Sequence, residues 1–327
     1  MNYNQNSGYG QALLNMVSSQ VPTFGRIFVV LDKDDTDEET YQRMQEVFTP
    51  VKGVNRFFKT VAEAYAAVES NNNDVILLDA NSSHVLTSVL NVSKNRVHFI
   101  GMDGGGRLNS QGTKIQIATA VATDIAVINN SGTRNTFMNL KMIQAGTDVA
   151  CTSAFIDTGE GTYMKNCQLE VNTILSTATQ ALLFKGDTCH YEDCQIGNST
   201  VYHTAANQAP LVIQTPARYS YFVNCEIINY SSQTSASIID LPDTDSVIGW
   251  VKFNNCALTC ALKGNGATAG GAAAEGITNA CTSGYVLLDN RCTSFNCDIT
   301  AEAVAYTLLA APDGGTATKG GEAIPCA

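Results

Sequence analysis

Eleven cysteines and four histidines are the side chains of this chain most able to ligate a metal ion. Three cysteine pairs have spacings that could serve zinc: Cys189/Cys194, Cys256/Cys260 and Cys292/Cys297. A zinc site needs three or four such ligands around one point, yet the sequence contains no Cys-x-x-Cys and its histidines do not cluster with the cysteines. We therefore predict that the protein binds no metal and no other cofactor.

Acidic side chains are the second group with catalytic potential, because two carboxyl groups about 5 to 9 Å apart can cleave a glycosidic bond. Seven candidates are spread along the chain: Asp157, Glu160, Asp187, Glu192, Asp240, Asp243 and Asp245. They do not recur at matching positions of the repeat described below, and acidic residues in turns are usually solvated. We predict that the chain is not an enzyme, with a polysaccharide lyase or hydrolase as the alternative.

Composition narrows the class of protein. The 327 residues include 19 Lys and Arg against 30 Asp and Glu, a net charge of −11. An acidic chain without a Lys/Arg run is unsuited to nucleic acid, and no run of about 18 apolar residues suggests a membrane span. The N-terminal residues lack the basic start and apolar stretch of a signal peptide, so we expect cytoplasmic synthesis and reduced thiols.

An internal repeat supplies the elements that must position these residues. Six segments, here called rungs, align without gaps: 136–142, 163–169, 190–196, 221–227, 252–258 and 293–299. They share a large apolar residue, a variable residue, Asn or Asp, Cys or Leu, a mostly polar residue, and Leu, Ile or Met. Their Cys or Leu positions recur every 27 to 41 residues.

A second series of short apolar strands lies between the rungs: Ala154–Ile156, Leu182–Phe184, Leu211–Ile213, Ser237–Ile239 and Val286–Leu288. The connecting residues are rich in Ser, Thr, Asn and Gly, which are not helix formers. Short strands joined by polar turns predict an all-β fold, a parallel β-helix whose coils stack at the strand spacing of about 4.8 Å.

Side-chain alternation assigns an orientation to each position of a rung. The residue two after the Cys or Leu is always apolar, so we predict that it faces inward. The residue one after it is mostly polar, as in Gln168 and Gln195, so we predict that it faces outward. The Cys and the preceding large apolar residue both look buried at an odd separation. A corner must therefore lie between them, and Asn or Asp tolerates its left-handed backbone.

Stacked coils place like residues in columns. We predict that the corner residues form a hydrogen-bonded ladder along the axis: Asn139, Asn166, Asp193, Asn224, Asn255 and Asn296. We predict a buried thiol column in which cysteine acts as a small hydrophobic residue: Cys167, Cys194, Cys225, Cys256 and Cys297.

Positions four and six before the rung cysteine are predicted to face outward, and they hold an aromatic stripe: Tyr163, His190, Tyr219, Tyr221 and Trp250. Exposed aromatic residues in a row are typical of a contact surface. Packing against sister subunits and stacking on sugar rings are both open interpretations, beside unrelated surface aromatics.

The coil and its Asn ladder resemble the right-handed parallel β-helix, or pectin-lyase-like, family. Segments near the front resemble the opening of β-helix structural proteins of tailed bacteriophages: Gly25–Val30, Asn55–Ala64, Asn73–Leu78, and Val97–Met102 followed by Gly104–Gly106. The resemblance implies a virion protein, and such proteins are commonly trimeric. Its motifs are architectural and carry no catalytic residue.

Four regions follow from these patterns: an N-terminal arm (1–25), a small α/β cap (26–72), the β-helix (73–300, with a Gly/Ala-rich insertion at 264–276) and a Gly/Ala-rich C-terminal tail (301–327). In the cap we predict a strand at Ile27–Leu31 and two helices, which open at the capping boxes Thr36/Glu39 and Thr60/Glu63. The first of these helices is predicted to end at Phe48. Such a cap covers the core that the first coil would otherwise expose.

The sequence thus predicts a non-enzymatic virion structural protein of a tailed bacteriophage, made in the host cytoplasm. We expect a homotrimeric β-helix attached to the capsid as a decoration, vertex or fibre-like element. Its expected partners are further copies of the chain and capsid proteins, without nucleic acid or a membrane. The alternatives are a tailspike-like protein that binds or depolymerises a host surface glycan, and a main shell or filament subunit.

Overall fold

The structure is a computed structural model. It describes residues 25–31, 39, 42, 55–80, 83–103, 112–117, 125–172, 177–231, 233, 235–261, 274–281, 283–289, 291–295, 297–298, 307–308 and 322–325. The helix with defined bounds is α1 (Val61–Ala67). The strands in chain order are β1 (Ile27–Val30), β2 (Phe57–Phe58), β3 (Asp74–Leu78), β4 (Ser83–Leu86), β5 (Leu90–Val92), β6 (Val97–Gly101), β7 (Lys114–Ile117), β8 (Ala126–Asn130), β9 (Thr136–Met138), β10 (Lys141–Gln144), β11 (Ser153–Asp157), β12 (Tyr163–Lys165), β13 (Gln168–Val171), β14 (Gln180–Phe184), β15 (His190–Glu192), β16 (Gln195–Gly197), β17 (Leu211–Ile213), β18 (Ser220–Val223), β19 (Glu226–Asn229), β20 (Ser237–Leu241), β21 (Trp250–Asn254), β22 (Ala257–Cys260), β23 (Ala274–Asn279), β24 (Tyr285–Leu288), β25 (Thr293–Phe295), β26 (Cys297–Asp298), β27 (Thr307–Leu308) and β28 (Glu322–Pro325).

These strands wind repeatedly around one axis. From β3 onward, every three successive strands form one coil, and each of eight described coils contributes one strand to each of three sheets. Sheet A has the order β2-β1-β3-β6-β9-β12-β15-β18-β21-β24-β28-β27, sheet B the order β25-β22-β19-β16-β13-β10-β7-β4, and sheet C the order β26-β23-β20-β17-β14-β11-β8-β5. Strands of neighbouring coils pair in parallel, which confirms the predicted parallel β-helix.

The inward face of sheet A carries one column of large side chains in register from coil to coil: Phe28, Ile76, Phe99, Phe137, Met164, Tyr191, Phe222, Phe253 and Leu288. All of them are buried. The rings of Phe222 and Phe253 stack with centroids 4.8 Å apart. Fully burying one such side chain contributes about 1.5 to 3 kcal/mol, so the column contributes strongly to holding the coils together.

The corner between sheets A and B adopts the left-handed backbone. Its five described residues have φ between 51° and 55°: Asn139, Asn166, Asp193, Asn224 and Asn255. Their side chains hydrogen-bond along the axis. The amide nitrogens of Asn166, Asn224 and Asn255 donate to the side-chain oxygens of Asn139, Asp193 and Asn224 at 2.8, 3.3 and 2.8 Å.

A second left-handed corner precedes sheet A, and the sequence pattern did not predict it. Its residues have φ between 49° and 97°: Asn73, Arg96, Arg134, Gly161, Thr188, Tyr219, Gly249 and Gly284. These residues share no side-chain type, so no repeat of residue identity marks the corner. The coils that begin at β9, β12, β15, β18 and β21 therefore both enter and leave sheet A through a left-handed residue.

The rung cysteines stack inside the solenoid, just beyond the Asn corner. Cys167, Cys194, Cys225 and Cys256 are buried as free thiols. Each thiol donates to the main-chain carbonyl of the inward sheet A residue one coil earlier, with sulfur to oxygen distances of 3.4 to 3.6 Å. Burial raises the pKa of Cys167 to about 12, so the thiol stays neutral and unreactive.

The prediction that residues 293–299 form the sixth rung was wrong. β24 pairs with β21 in sheet A, so Val286–Leu288 belongs to sheet A and not to the second strand series. Cys292 takes the place of the rung cysteine in this coil. Its thiol donates at 3.3 Å to the carbonyl of Phe253, the inward sheet A residue of the preceding coil, just as the other rung cysteines donate to the coil before their own. Cys297 lies in β26 of sheet C instead, and Asn296 lies outside the described residues.

The predicted exposure of the residue after the rung cysteine was also wrong in two coils. Gln168 and Gln195 are buried. Gln168 donates its side-chain amide to Glu170, which is itself buried and paired with Lys141 at 3.0 Å. Polar side chains tolerate burial when they are hydrogen-bonded in this way, and alternation alone does not reveal it.

The cap is continuous with the solenoid. β1 pairs in parallel with β3 and so extends sheet A by one strand. The Thr60 hydroxyl accepts from the Glu63 backbone at 3.2 Å and opens α1, which places Val61, Ala64 and Tyr65 in the main core. The ammonium of Lys94, one coil later, donates to the free carbonyls at the end of this helix at 2.8 to 3.0 Å. The helix predicted from Thr36 to Phe48 lies outside the described residues, apart from residues 39 and 42, which are helical.

The remaining regions are described in part. Residues 1–24 of the predicted arm and 264–273 of the predicted insertion lie outside the described residues. The last residues of that insertion, Ala274 to Gly276, belong to β23. In the predicted tail, β28 adds antiparallel to β24, and β27 adds to β28. No helix among the residues described has the length and apolar character needed to cross a membrane.

Candidate binding surface

The outward face of sheet A brings the five predicted aromatic residues together. Tyr163, His190 and Tyr221 occupy the same position on β12, β15 and β18, so they lie one above another. Trp250 opens β21 and Tyr219 directly precedes β18. Parallel register thus converts a spacing of 27 to 31 residues in sequence into direct neighbours in space.

The rings form an unbroken series of contacts, here called the aromatic stripe. Centroid distances are 5.6 Å from Tyr163 to His190, 5.9 Å from His190 to Tyr221 and 4.7 Å from Tyr221 to Trp250. Tyr219 lies 5.8 Å from Trp250. Tyr219 is 46% exposed and Tyr221 is 37% exposed, while the other three are half-buried. Contacts at these distances and tilts are favourable for aromatic pairs.

Tyr285 extends the stripe, and the sequence analysis missed it. It pairs in register with Trp250 and is 50% exposed. The misplaced last rung hid this residue, because alignment on Cys297 put Tyr285 twelve positions before the rung cysteine. A gap-free alignment on Cys292 would have missed it too, because Tyr285 lies seven residues before Cys292 whereas Trp250 lies six before Cys256.

A polar column runs beside the aromatic stripe. Lys165 and Glu192 form an ion pair at 2.9 Å across β12 and β15. The Tyr163 hydroxyl donates to the same carboxylate at 2.6 Å. These bonds lower the pKa of Glu192, whereas burial, together with this carboxylate, raises the pKa of Tyr163. Lys252 lies beside Tyr221 on the next strand.

A glycine gives Tyr219 room to lie along the stripe. Gly249 has φ of +97°, and a Cβ built there would come within 2.6 Å of the Tyr219 ring. A side chain at this position would therefore displace the ring or strain the backbone. Gly249 and the left-handed Tyr219 together set the edge of the aromatic stripe.

The seven candidate carboxylates are spread over several coils, but Glu160 and Asp187 stand in register on neighbouring coils, so the prediction that none recur at matching positions was wrong for this pair. Asp157 ends β11 inside the core, which corrects its interpretation as a solvated residue. Glu192 faces outward on sheet A, and Asp187 is paired with Arg218 at 2.8 Å in the turn before it. Asp240 is on β20 of sheet C, where burial and Asp243 raise its pKa to about 6. The Asp245 carboxylate accepts from Thr215, and Glu160 forms an isolated bridge with Asp187.

The described side chains offer an aromatic face rather than a cluster of ligands. In the part of the chain that the structure describes, no group of three or more His, Cys, Asp or Glu side chains is arranged so that it could hold a metal ion. Flat rings with a hydrogen-bonded polar border can pack against another protein or stack on sugar rings.

Comparison with known proteins identifies the architecture. No protein-family model and no curated protein sequence matches the chain. A pectate lyase of known structure aligns with a TM-score of 0.54 and 12% identity, over 83% of this chain and 63% of its own. The two share the parallel β-helix fold.

Two further structures align less well. A pectin methylesterase from Aspergillus niger has a TM-score of 0.47 and 13% identity, over 84% of this chain and 87% of its own. A protein of Geobacillus virus E2 has a TM-score of 0.26 and 12% identity, over 72% and 58%. With TM-scores below 0.5, these two alignments support no conclusion about this chain.

Proposed function

We propose that this protein is a non-enzymatic structural protein of a tailed-bacteriophage virion, attached to the capsid as a decoration, vertex or fibre-like element. The aromatic stripe carries the proposal. It presents a row of partly exposed rings along a rod, and such a row suits contact with another protein surface better than contact with water.

The core supports a mechanical role. Successive coils fill the same inward position of sheet A with large buried side chains, and neighbouring coils are joined by backbone hydrogen bonds and by the Asn corner. In a solenoid of this kind every coil packs on the coils before and after it, so hydrogen bonds and core contacts continue along the whole axis. It needs no bound group to hold its shape.

The partner proposed for the stripe is a sister copy, in a homotrimer. Aromatic rings are enriched at the centres of protein interfaces, and charged pairs at their rims. The Lys165–Glu192 pair lies beside the rings, and Lys252 follows Tyr221 in the same column, so charged groups border the rings on two sides. Three stripes would then meet around a common axis.

The molecular mass of the protein in solution, measured by sedimentation, tests the proposed homotrimer. Replacing Tyr221 by Ser and Trp250 by Ala should reduce the sedimenting mass about threefold, because the rings that would be buried are removed. The paired rings of Tyr202 and Tyr230, 5.6 Å apart, provide the control, and Tyr202→Ala should keep the wild-type mass. A wild-type monomer at micromolar concentration would contradict the trimer.

A reconstruction of the intact particle tests the virion role. Density for a β-helical rod at capsid vertices or on the capsid surface is the expected result. Absence of the protein from purified particles would overturn the proposal. Hundreds of copies forming the shell itself would instead identify a main building block.

A glycan-binding or glycan-cleaving spike is the second candidate, and the spacing of the stripe favours it. Neighbouring rings are 4.7 to 5.9 Å apart along the axis, so successive sugar rings of one chain could stack on them. Binding of host surface polysaccharide that is lost in Trp250→Ala would support this candidate. Cleavage of that polysaccharide, lost in Glu192→Gln, would establish an enzyme.

A further inference from the structure

The outward face of sheet A is apolar at its N-terminal end. One outward column runs in register through five strands: Phe57, Val29, Leu77, Ile100 and Met138. The column then becomes charged, with Lys165 and Glu192 on the next two strands. A charged column is expected on the outside of a solenoid, whereas an apolar one needs a separate explanation.

All five apolar side chains of this column are buried, with exposed fractions of 0 to 7%. A side chain on the outside of a sheet is buried only when another segment lies over it. The described residues that pack against these side chains include Ile27, Met102 and Tyr163. Ile27 and Tyr163 belong to the same sheet face, and Met102 directly follows β6. A further segment of the chain must therefore cross this face.

The path of the chain indicates which segment this is. β1 and β2 pair in parallel, so the connection between them has to return from the end of one strand to the start of the other. The next connection, through α1, leads from β2 past β1 to β3 and lies on the inward face, where Val61 and Ala64 join the main core. The two connections move in opposite directions along the sheet. Because parallel crossovers share the right hand, they are expected on opposite faces, and the first connection on the outward one.

Two described residues in the first connection set the orientation of a helix. Glu39 and Gln42 are helical and exposed, and they fall within the helix predicted from Thr36 to Phe48. At 3.6 residues per turn they lie on one side of that helix. The opposite side carries three large apolar residues: Tyr41, Met44 and Phe48. This pattern is typical of a helix with one side in solvent and the other on an apolar surface.

We propose that the helix of residues 36–48 packs over the outward face of β2, β1 and β3. Its apolar side, with Met44 at the centre, then covers Phe57, Val29 and Leu77. The dimensions agree, since a helix about 10 Å wide covers two or three strands that lie about 4.8 Å apart. The contact lies within one chain, so it is independent of the proposed virion role and of the proposed trimer.

Lysine substitutions on the two sides of the helix test the packing. Met44→Lys places an ammonium group against the apolar face, and it should raise the equilibrium constant for unfolding about tenfold or more. Lys and Met have similar helix propensities, so the helix itself is not weakened. Gln42→Lys is the matched control, because Gln42 is exposed, and it should leave unfolding unchanged. Urea unfolding followed by circular dichroism measures both, and equal effects of the two variants would overturn the proposal.

Photo-crosslinking identifies the surface that the helix contacts. Benzoylphenylalanine in place of Phe48 should cross-link to peptides that contain β1, β2 or β3. The same residue in place of Gln42 is the control and should give no cross-link within the chain. Cross-links from position 48 to sheet B, or to a second copy of the chain, would contradict the proposed packing.

A substitution in the predicted N-terminal arm separates the helix from the other segment that could reach this face. Leu14→Lys should leave unfolding unchanged, because the proposal assigns the face to residues 36–48. A loss of stability in Leu14→Lys without one in Met44→Lys would show that the arm covers the face instead, and would overturn the proposal.

Discussion

Tyr191 carries a hydroxyl in a core column that is otherwise built of Phe, Met, Ile and Leu. The hydroxyl donates to the buried carboxyl of Asp157 at 2.5 Å. Asn130, Thr162 and the Gly159 backbone donate to the same group. Burial raises the pKa of Asp157, although these hydrogen bonds act in the opposite direction. The buried Asp157 thus explains why this coil has Tyr191 where most neighbouring coils have an apolar side chain.

Replacing Tyr191 by Phe should destabilise the protein even though Phe fills the same position in neighbouring coils. The variant leaves Asp157 with one donor fewer, at a cost of about 1 to 3 kcal/mol. Urea unfolding measures the change. In an Asp157→Ala background the same substitution should cost much less, and an equal cost in both backgrounds would show that the hydrogen bond is not responsible.

His98 is a buried histidine on the outward face of β6. Neither ring nitrogen has a hydrogen-bond partner within the described structure. Burial lowers its pKa to about 4, and the charge of Asp74 only partly opposes this. Since the unfolded value is about 6.5, the neutral ring stabilises the folded state above that pH. This stability is lost as the pH falls from about 6.5 toward 4.

Acidification should therefore weaken the protein through His98. A shift of this size corresponds to at most about 3 kcal/mol between pH 7 and pH 4. Free energies of unfolding measured across that range should fall less steeply in His98→Phe than in the wild type. His190→Phe, on the outward face of the same sheet, is the control. Parallel pH profiles for wild type and His98→Phe would contradict this role.

The corner after sheet A is the element that bends the chain from sheet A into sheet B. Five residues there hold the left-handed backbone, and Asn or Asp occupies every one. The sequence repeat predicted this corner because one residue type serves two needs: a positive φ and a side chain that bonds along the axis. The corner before sheet A needs only the backbone, and it accepts Asn, Arg, Thr, Gly or Tyr. No residue pattern could therefore reveal it.

Substitutions of Asn224 should separate these two contributions. Asn224→Gly still favours the left-handed backbone but loses the side-chain hydrogen bonds to Asp193 and Asn255. Asn224→Ala loses the same hydrogen bonds and also disfavours the left-handed backbone. A left-handed non-glycine residue costs about 1 to 2 kcal/mol, so Ala should be the more destabilising change by roughly that amount. Thermal unfolding ranks the two variants, and equal stability would mean that the backbone is not strained.

At the scale of the whole molecule, stability depends on stacking. Ile227 lies at the middle of the inward column of sheet B, and Ser294 is exposed at its end. The same substitution should therefore have opposite outcomes at the two sites, because burying an unpaired carboxylate is costly and exposing one is not.

Ile227→Asp should abolish soluble folding, while Ser294→Asp should fold normally. Soluble yield and circular dichroism measure both. A well-folded Ile227→Asp variant would contradict the coil assignment. Insoluble Ser294→Asp would show that the last coil is buried in the folded chain.

The sequence by itself determined the solenoid, the corner after sheet A and the aromatic stripe, because side-chain alternation and a recurring period are local properties of the chain. The tertiary structure decided which residues stack. It moved the last rung from Cys297 to Cys292, added Tyr285 to the stripe and placed Asp157 in the core. Each of these depends on register between segments 27 or more residues apart. Where the connecting turn changes length, that register is set by packing and not by spacing.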